Sequence, residues 1–318
     1  MSNNKKPTIA VVGATGAQGG GLVRAALADP EQRFGVRAIT RNVQSEAARA
    51  LTRLGARVVG SDLDDVASLE RAFQGADAAF CVTFYWAHLS PQLELAHAQN
   101  LAKAAKRAGI SHVIWSTLED TRRFVPLSDG RMPTLMQQYK VPHFDAKGSA
   151  DRIFGELGLP TTYLYTSFYW DNLIHFGMGP KRTADGVLAF TLPMGIAKLP
   201  GIAAEDIGGC AFALFQKGAA TIGKRVGIAG DHLSGGEMAA GLAKALGEPV
   251  LHADVSPEVY RSFGFPGADD LGNMFQFKRD FEREFRAARD PETSRALYPK
   301  LQTFETWLER NASKIPLQ

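Results

Sequence analysis

The sequence predicts an α/β fold: a Rossmann-type doubly wound parallel sheet with a smaller C-terminal α/β lobe. Three observations support this prediction. A short apolar run meets a glycine-rich turn at residues 8–20, strand and helix patterns alternate up to residue 165, and the 318 residues are 45% hydrophobic, enough for a sizeable core. We expect a first domain at 1–165 and a smaller lobe at 166–318. Together they would form one unit, with some C-terminal strands returning to the main sheet.

The glycine-rich turn reads GATGAQGG from Gly13 and lies between a predicted strand and a predicted helix. At this junction Gly13 permits a sharp turn, Gly16 lets the backbone approach a pyrophosphate, and Gly19 lets helix and strand pack closely. The first N–H groups of the helix then point toward the phosphates, where the helix dipole also favours negative charge. The pattern predicts a dinucleotide site. The competing interpretation is a structural turn before a surface helix.

The other elements of the first domain follow in chain order. We predict strands at residues 36–41, 56–60, 77–83, 112–117 and 161–166, and helices at residues 45–54, 66–73 and 91–108. Either Asp64 or Asp65 would cap the helix at 66–73, because a carboxylate accepts bonds from first-turn N–H groups. The predicted core face of the long helix comprises Leu93, Ala96, Leu101, Ala104 and Ala105.

The C-terminal lobe has weaker patterns. Residues 225–229 are predicted to form a strand that returns to the main sheet, and residues 239–246 and 257–263 to form helices. Residues 280–289 alternate charges around Phe281 and Phe285, four residues apart, which predicts one surface helix docked by its aromatic edge.

The composition argues against several functions. With 36 basic and 33 acidic residues and no long basic run, direct nucleic-acid binding is not expected. Cys81 and Cys210 predict no disulfide framework, and no histidine pair has metal-ligand spacing, so we expect no metal. The N-terminal MSNNKKP has no apolar signal core, and no apolar stretch is long enough to span a bilayer. We therefore expect a cytoplasmic protein without a membrane partner.

The end of the second predicted strand indicates which dinucleotide would bind. NAD sites usually place a carboxylate there, whereas this strand ends with Arg41 and Asn42. A guanidinium can hold a 2′-phosphate with two parallel charge-assisted bonds, so the predicted cofactor is NADP(H). The competing interpretation is that Arg41 is a solvated loop residue. After the third strand, Asp62 could accept a bond from the adenine amino group.

An aromatic turn follows the fourth predicted strand. It reads Thr83-Phe84-Tyr85-Trp86, and its flat side chains could flank the ribose and nicotinamide of the cofactor. Aromatic clusters are about as often plain packing, so both interpretations stay open.

Five segments carry a resemblance to a known family: GATGAQGG at 13–20, VTFYW at 82–86, HFDAKG at 143–148, YWDN at 169–172 and GFPGADDLGNMF at 264–275. Together they resemble the NmrA-like family, an atypical branch of the short-chain dehydrogenase superfamily. The resemblance implies an NADPH-binding protein that acts as a redox sensor rather than an enzyme. It also implies a regulatory protein partner and leaves a homodimer open. The segment after Arg41 lacks the further basic residues of close relatives, which would weaken the grip on the 2′-phosphate.

The resemblance also implies which residues contact the cofactor. These residues are Gly13, Ala14, Thr15, Gly16, Ala17, Gln18, Arg41, Asn42, Asp62, Leu63, Thr83, Phe84, Tyr85, Lys147, Tyr169, Trp170, Asp171 and Asn172.

The chemistry depends on the residue that precedes the lysine. Active short-chain dehydrogenases pair a tyrosine with a lysine four residues later, whereas here His143 stands four residues before Lys147. Ser116 could take the place of the family's serine, and His143 could still donate a proton, so the catalytic candidates are these three residues. Loss of a positioned general acid typically costs about 10²–10⁴-fold in rate. Two hypotheses follow: a sensor of dinucleotide occupancy, and an NADPH-dependent reductase of quinones or similar acceptors.

Overall fold

The structure is a computed structural model that describes residues 6–317. Residues 1–5, which include most of the segment predicted to lack a signal core, lie outside the described residues. The chain divides into two compact units. The first comprises residues 1–120, 146–165 and 205–226, and the second comprises residues 121–145, 166–204 and 227–318. As folding domains, 1–165 and 166–318 stay a prediction.

The first unit is built on a seven-stranded sheet. Its strands are β1 (Thr8–Val11), β2 (Gly35–Thr40), β3 (Arg57–Gly60), β4 (Ala78–Cys81), β5 (His112–Thr117), β6 (Thr161–Tyr165) and β11 (Arg225–Gly227). Their order across the sheet is β11-β6-β5-β4-β1-β2-β3, and the pairs from β6 to β3 are parallel. The predicted doubly wound sheet is confirmed, and residues 225–227 return to it as predicted.

Helices cover this sheet because each parallel pair needs a crossover. They are α1 (Ala17–Leu27), α2 (Glu46–Arg53), α3 (Val66–Phe73), α4 (Pro91–Arg107), α5 (Pro142–Glu156) and α7 (Ala204–Lys217). Ser45, Asp65 and Ser90 begin helices α2, α3 and α4, since each side chain accepts a bond from a first-turn N–H. Trp115 and Phe154, stacked 4.8 Å apart, lie in the core.

The core face predicted for α4 is partly wrong. Leu101, Ala104 and Ala105 are buried as predicted, but Leu93 and Ala96 are exposed, and Glu94 and Ala98 are buried instead. The N-terminal part of the buried stripe thus runs through Glu94 rather than Leu93, so the stripe contains a carboxylate.

The second unit holds two three-stranded sheets. One has the order β12-β10-β7 and the other β13-β9-β8. These strands are β7 (Phe168–Tyr169), β8 (Lys181–Arg182), β9 (Leu188–Thr191), β10 (Leu199–Ile202), β12 (Asp231–Leu233) and β13 (Val250–Ala253). The helices are α6 (Asn172–His175), α8 (Gly235–Leu246), α9 (Pro257–Arg261), α10 (Ala268–Asp280), α11 (Glu282–Ala287), α12 (Pro291–Leu297) and α13 (Phe304–Asn311).

The single helix predicted at 280–289 is interrupted. Helix α10 ends at Asp280 and α11 begins at Glu282, because Phe281 leaves helical geometry, with φ −118° and ψ 34°. Its ring packs 5.4 Å from those of Phe124 and Phe277. Within residues 6–317, no helix has the length and apolar character needed to cross a bilayer.

Candidate functional site

The glycine-rich turn forms the centre of the first unit's candidate site. Gly13 has a φ of +62°, which L side chains rarely adopt. Gly16 occupies the N-cap of α1 and offers no side-chain bond to the helix N–H groups. Gln18, in the first turn of α1, accepts a bond from the Ser116 hydroxyl at 2.8 Å. The turn therefore presents backbone N–H groups and a helix N-terminus, the arrangement that suits a pyrophosphate.

Close packing explains the glycines that follow. A Cβ on Gly19 would lie 2.4 Å from the carbonyl oxygen of Gly13, and one on Gly21 would lie 2.3 Å from that of Glu205. Real Cβ atoms do not approach this closely, so Gly19 must stay a glycine for α1 to pack against the turn, as the sequence predicted.

The segments after β2 and β3 lie beside this turn, because β1, β2 and β3 are neighbouring parallel strands. Arg41 is exposed and has no hydrogen-bond or ion-pair partner in the described part of the chain. Asn42 accepts a bond from the Gln44 N–H at 2.9 Å. Asp62 is exposed and accepts from the Asp64 N–H, while Leu63 packs partly against the core.

Of the two candidate caps for α3, the structure selects Asp65. Its carboxylate accepts the Ser68 N–H at 3.0 Å. Asp64 instead contacts His97 Nε2 at 2.9 Å.

The aromatic turn after β4 divides its side chains between surface and core. Phe84 is 52% exposed, whereas Tyr85 is buried and meets Trp86 edge-on at 5.5 Å. Thr83 is buried and points its hydroxyl into a polar cluster. Tyr85 is therefore part of the packing, whereas Phe84 is exposed, and a contact between this turn and a cofactor stays a prediction.

The polar cluster joins Thr83, Glu94 and Lys147. The Lys147 ammonium lies 2.5 Å from Glu94 Oε1 and donates to the Thr83 hydroxyl at 2.7 Å. The Thr83 hydroxyl in turn donates to Glu94 Oε1 at 2.5 Å. Burial raises the pKa of Glu94, but the Lys147 ammonium and the bonds from Lys147 and Thr83 outweigh it and leave the pKa below its usual range. The cluster is therefore a buried ion pair at the carboxyl end of β4.

Two histidines extend this cluster. His88 Nε2 lies 3.5 Å from Glu94 Oε2, and the rings of His88 and His97 meet at 5.4 Å. Burial lowers the pKa of His88, although Glu94 opposes that shift, so we expect a neutral imidazole at pH 7.

A second buried carboxylate, Asp151, lies on α5 one turn after Lys147. Asp151 Oδ1 accepts the Thr117 hydroxyl at 2.7 Å and the Trp115 indole N–H at 3.1 Å. Burial raises the pKa of Asp151 to about 6, while these bonds and the Arg225 charge lower it by less.

The catalytic candidates are all engaged in contacts. Ser116 is bonded to Gln18, and Lys147 to Glu94 and Thr83. His143, described within the second unit, is buried, with its Nδ1 2.7 Å from Asp270 Oδ1. Its backbone N–H also donates to Asp270 at 3.2 Å.

The YWDN segment lies in the second unit. Trp170 is buried against Phe304 and Gly201. A Cβ added to Gly201 would lie only 2.2 Å from the Trp170 indole nitrogen. The Tyr169 hydroxyl donates to Thr166 at 3.4 Å, Asp171 accepts the Ala204 N–H, and Asn172 begins α6. These contacts describe the segment within its unit, and its cofactor role stays a prediction.

Sequence reasoning missed Glu94 and Asp151. Glu94, in the first turn of a helix, resembles a solvated residue that complements the helix dipole. A usable signal was its spacing of four and seven residues from Ala98 and Leu101, which places it on the apolar stripe. Asp151 carried a similar signal, since it stands four residues after Lys147.

The sequence profile of the NmrA-like family matches residues 5–308. The chain belongs to the NmrA-like family. This finding confirms the resemblance and places the chain in a family of NAD(P)-binding, oxidoreductase-like proteins.

Two relatives illustrate the range of proteins to which this NmrA-like protein is similar. It is 30% identical over 278 residues to the nitrogen metabolite repression protein nmrA of Emericella nidulans, covering 84% of this chain and 72% of that one. It is 36% identical to the NmrA-like family domain-containing oxidoreductase notA of Aspergillus sp. (strain MF297-2), over 46% of this chain. That match spans about half of notA, 45% of its length.

A solved structure supports the same fold. The crystal structure of NmrA, described as a negative transcriptional regulator, superposes with a TM-score of 0.79 at 27% identity, over 97% of this chain and 96% of that one. Further crystal structures of NmrA are described as complexes with NADP and with NAD.

Proposed function

We propose that this NmrA-like protein binds NADP(H) at the carboxyl ends of β1 to β5. The uncapped N-terminus of α1 and the close-packed glycine turn fit a pyrophosphate. The exposed, unpartnered Arg41 guanidinium, within the described residues, fits a 2′-phosphate. The NmrA complexes with NADP and NAD support this proposal from outside the chain.

Each part of the proposed site would hold one part of the dinucleotide. Gly13–Gln18 would hold the pyrophosphate, Arg41 and Asn42 the 2′-phosphate, and Asp62 and Leu63 the adenine. The ribose and nicotinamide side would be held by Thr83, Phe84, Tyr85, Lys147, Tyr169, Trp170, Asp171 and Asn172. When bound, NADPH supplies a hydride, and the protein residues can only orient it and manage protons.

The proposed role is that of a redox sensor that lacks the catalytic tyrosine of short-chain dehydrogenases. The observation that carries it is His143: the residue four before Lys147 is an imidazole held by Asp270 through both its ring and its backbone N–H. A buried, hydrogen-bonded imidazole is a poor substitute for a phenol aimed at a substrate. Binding of the dinucleotide does not need that proton donor.

A reductase of quinones or similar acceptors is the alternative. It is favoured by the retained Lys147 and by Ser116, buried at the end of β5, and by relatives such as notA that are named oxidoreductases. Steady NADPH oxidation with a quinone panel separates the two roles. We expect turnover below about 1 s⁻¹, the low end of ordinary enzymes, and faster turnover would refute the sensor role.

The proposed binding is tested by titrating the protein with NADPH, NADP⁺, NADH and NAD⁺. The Trp115 indole, 5.6 Å from the Lys147 ammonium, gives an intrinsic fluorescence signal at the site. We expect NADPH and NADP⁺ to bind more tightly than NADH and NAD⁺, and Arg41→Ala to weaken NADPH binding by about 10–100-fold, the loss of one charge-assisted contact, with NADH little changed. No response to any of the four would refute the proposal.

The remaining proposals concern partners and location. A regulatory protein partner is supported by the description of NmrA as a negative transcriptional regulator. The proposed oligomeric state is a homodimer, and the proposed location is the cytoplasm. We propose no direct binding of nucleic acid. Light scattering of the purified protein tests the oligomeric state.

A further inference from the structure

Glu94 is a buried carboxylate that is not among the predicted cofactor-contacting residues. We propose that Glu94 determines the relative affinity for the two redox states of the dinucleotide, because its charge cancels that of Lys147. This inference rests on the proposed binding of NADP(H) and names a further residue of the same site.

The geometry makes the pair a fixed unit. The Glu94 side chain is 0% exposed and that of Lys147 is 12% exposed, with 2.5 Å between their charged atoms. Thr83 bonds to both, so neither charge can swing away without breaking two contacts. Lys147 also lies over the Trp115 ring at 5.6 Å, which limits its movement on the other side.

The other titratable groups around the pair do not disturb its neutrality. Asp151, one turn further along α5, has the Arg225 guanidinium 3.8 Å from its Oδ2, and these two charges offset each other. His88 lies 3.5 Å from Glu94, and burial favours its uncharged form. His97 packs against His88 and contacts the exposed Asp64, which is screened by solvent. With Glu94 ionised and Lys147 protonated, the cluster has a net charge of zero at neutral pH.

The strand order places this neutral pair on one half of the proposed site. Strand β1 lies between β2 and β4, so the sheet reverses its connection order beside β1, the point where α/β sheets bind ligands. Arg41 follows β2 and would take the adenosine half. Thr83 follows β4, on the other side of β1, which leaves the Lys147–Glu94 pair to the nicotinamide half.

The two redox states differ in charge at that half. The oxidised nicotinamide ring carries a positive charge and the reduced ring is neutral. A lone ammonium within about 10 Å, at an effective dielectric constant of about 20, would weaken binding of the oxidised ring by more than tenfold. The compensated pair removes this bias. A sensor of the NADPH to NADP⁺ ratio needs such a balance, since a strong bias would keep it saturated with one form.

The experiment compares the ratio of the dissociation constants for NADP⁺ and NADPH in wild type and Glu94→Gln, measured by intrinsic tryptophan fluorescence or calorimetry. We expect Glu94→Gln to raise this ratio about tenfold. Glu94→Asp keeps the charge and should stay within about threefold of wild type. If both affinities fall together in Glu94→Gln and the ratio is unchanged, Glu94 is only structural and the inference is wrong.

A second variant covers the case in which Glu94→Gln does not fold. The double variant Glu94→Gln/Lys147→Met replaces the pair by two neutral side chains of similar size. We expect its ratio to stay within about threefold of wild type. If instead Glu94 did not compensate Lys147, this variant would remove one net positive charge and lower the ratio about tenfold. Failure of wild type to bind either form would refute the proposed function, which is a different result.

Discussion

The glycine turn and the Lys147–Glu94 pair hold neighbouring places at one edge of the same sheet but are built differently. The turn is made of backbone, and its residues lie within eight positions of one another. The pair is made of two side-chain charges, one from α4 and one from α5, and the Thr83 hydroxyl after β4 bonds to both. The turn is therefore sensitive to added atoms and indifferent to pH, whereas the pair is sensitive to lost charge and coupled to pH.

The largest effect should come from breaking the pair. Lys147→Met leaves the Glu94 carboxylate buried without its partner, and we expect a loss of about 3–5 kcal/mol in unfolding free energy at pH 8. In wild type, the lowered pKa of Glu94 means that its contribution is present above the usual carboxyl range and lost as pH falls. In Lys147→Met the sign reverses, because a lone buried carboxyl binds a proton more readily in the folded state.

Urea unfolding at pH 5 and pH 8 measures this reversal. Relative to wild type, Lys147→Met should be less destabilised at pH 5. Lys106→Met removes an exposed lysine of α4 and should change stability by less than about 0.5 kcal/mol at either pH. A uniform loss at both pH values would mean that packing, and not charge, dominates at Lys147.

The second effect comes from adding one methyl group to the turn. Gly19→Ala would bring a Cβ to 2.4 Å from the Gly13 carbonyl oxygen, so the turn must move. We expect a loss of about 100-fold in NADPH affinity, about 2.7 kcal/mol, independent of pH. Titration at pH 6 and pH 8 measures both the loss and its pH independence.

Gly20→Ala is the matched control for the turn. The nearest atom to its Cβ, at 3.2 Å, is the far end of the flexible Arg24 side chain, and the Ala14 carbonyl oxygen follows at 3.3 Å, a tight contact but not the 2.4 Å clash of Gly19→Ala. We expect less than about a fivefold change in affinity. Equal losses in the two variants would show that helix rigidity, and not the approach to Gly13, limits binding.

The same contrast explains what the sequence could predict. The glycine turn could be predicted because its constraint is local. Each glycine is required by a neighbour in the sequence or by the adjoining strand. The boundaries of α3 and β5 were predicted to the residue for the same reason, since Asp65 and the β-branched run at 112–117 act on their own segments.

Contacts between distant residues were beyond the sequence. Nothing near His143 indicates Asp270, which lies 127 residues away and fixes the imidazole. Glu94 meets a lysine that stands 53 positions later, and a lone carboxylate in a first turn gives no sign of that partner. Side-chain charge pairs are specified by tertiary packing, so a single sequence gives only the stripe on which they lie.

The third effect extends the contrast to Asp151, a buried carboxylate whose hydrogen bonds come from neutral groups, with the Arg225 guanidinium 3.8 Å away. Because its pKa is raised to about 6, its contribution to stability is present below the ordinary aspartate range and lost as pH rises through about 6. Asp151→Asn keeps an acceptor for Thr117 and Trp115 but cannot ionise. The unfolding free energy of Asp151→Asn, measured relative to that of wild type, should rise by about 2 kcal/mol between pH 4.5 and pH 7.5.

Urea unfolding across that pH range tests the sign. Asp29→Asn serves as the opposite control, since bonds from Arg33 lower the pKa of Asp29 to about 2 and its stabilisation is constant above pH 4.5. Parallel stability curves for Asp151→Asn and wild type would show that Asp151 is already ionised at pH 4.5.

The smallest effect distinguishes the helix cap at Asp65 from the side-chain contact of the adjacent Asp64 with His97. Asp65→Ala removes the acceptor for the Ser68 N–H, and we expect a loss of about 1 kcal/mol in unfolding free energy. Asp64→Ala removes the contact of a solvent-exposed carboxylate with the buried His97, which should cost less than about 0.5 kcal/mol. The cap acts mainly through a hydrogen bond to a backbone N–H, so added salt should reduce the Asp65 effect by less than the Asp64 effect. The reverse order of the two losses would mean that the carboxylate at 64, through His97, supports the buried cluster more than the cap supports its helix.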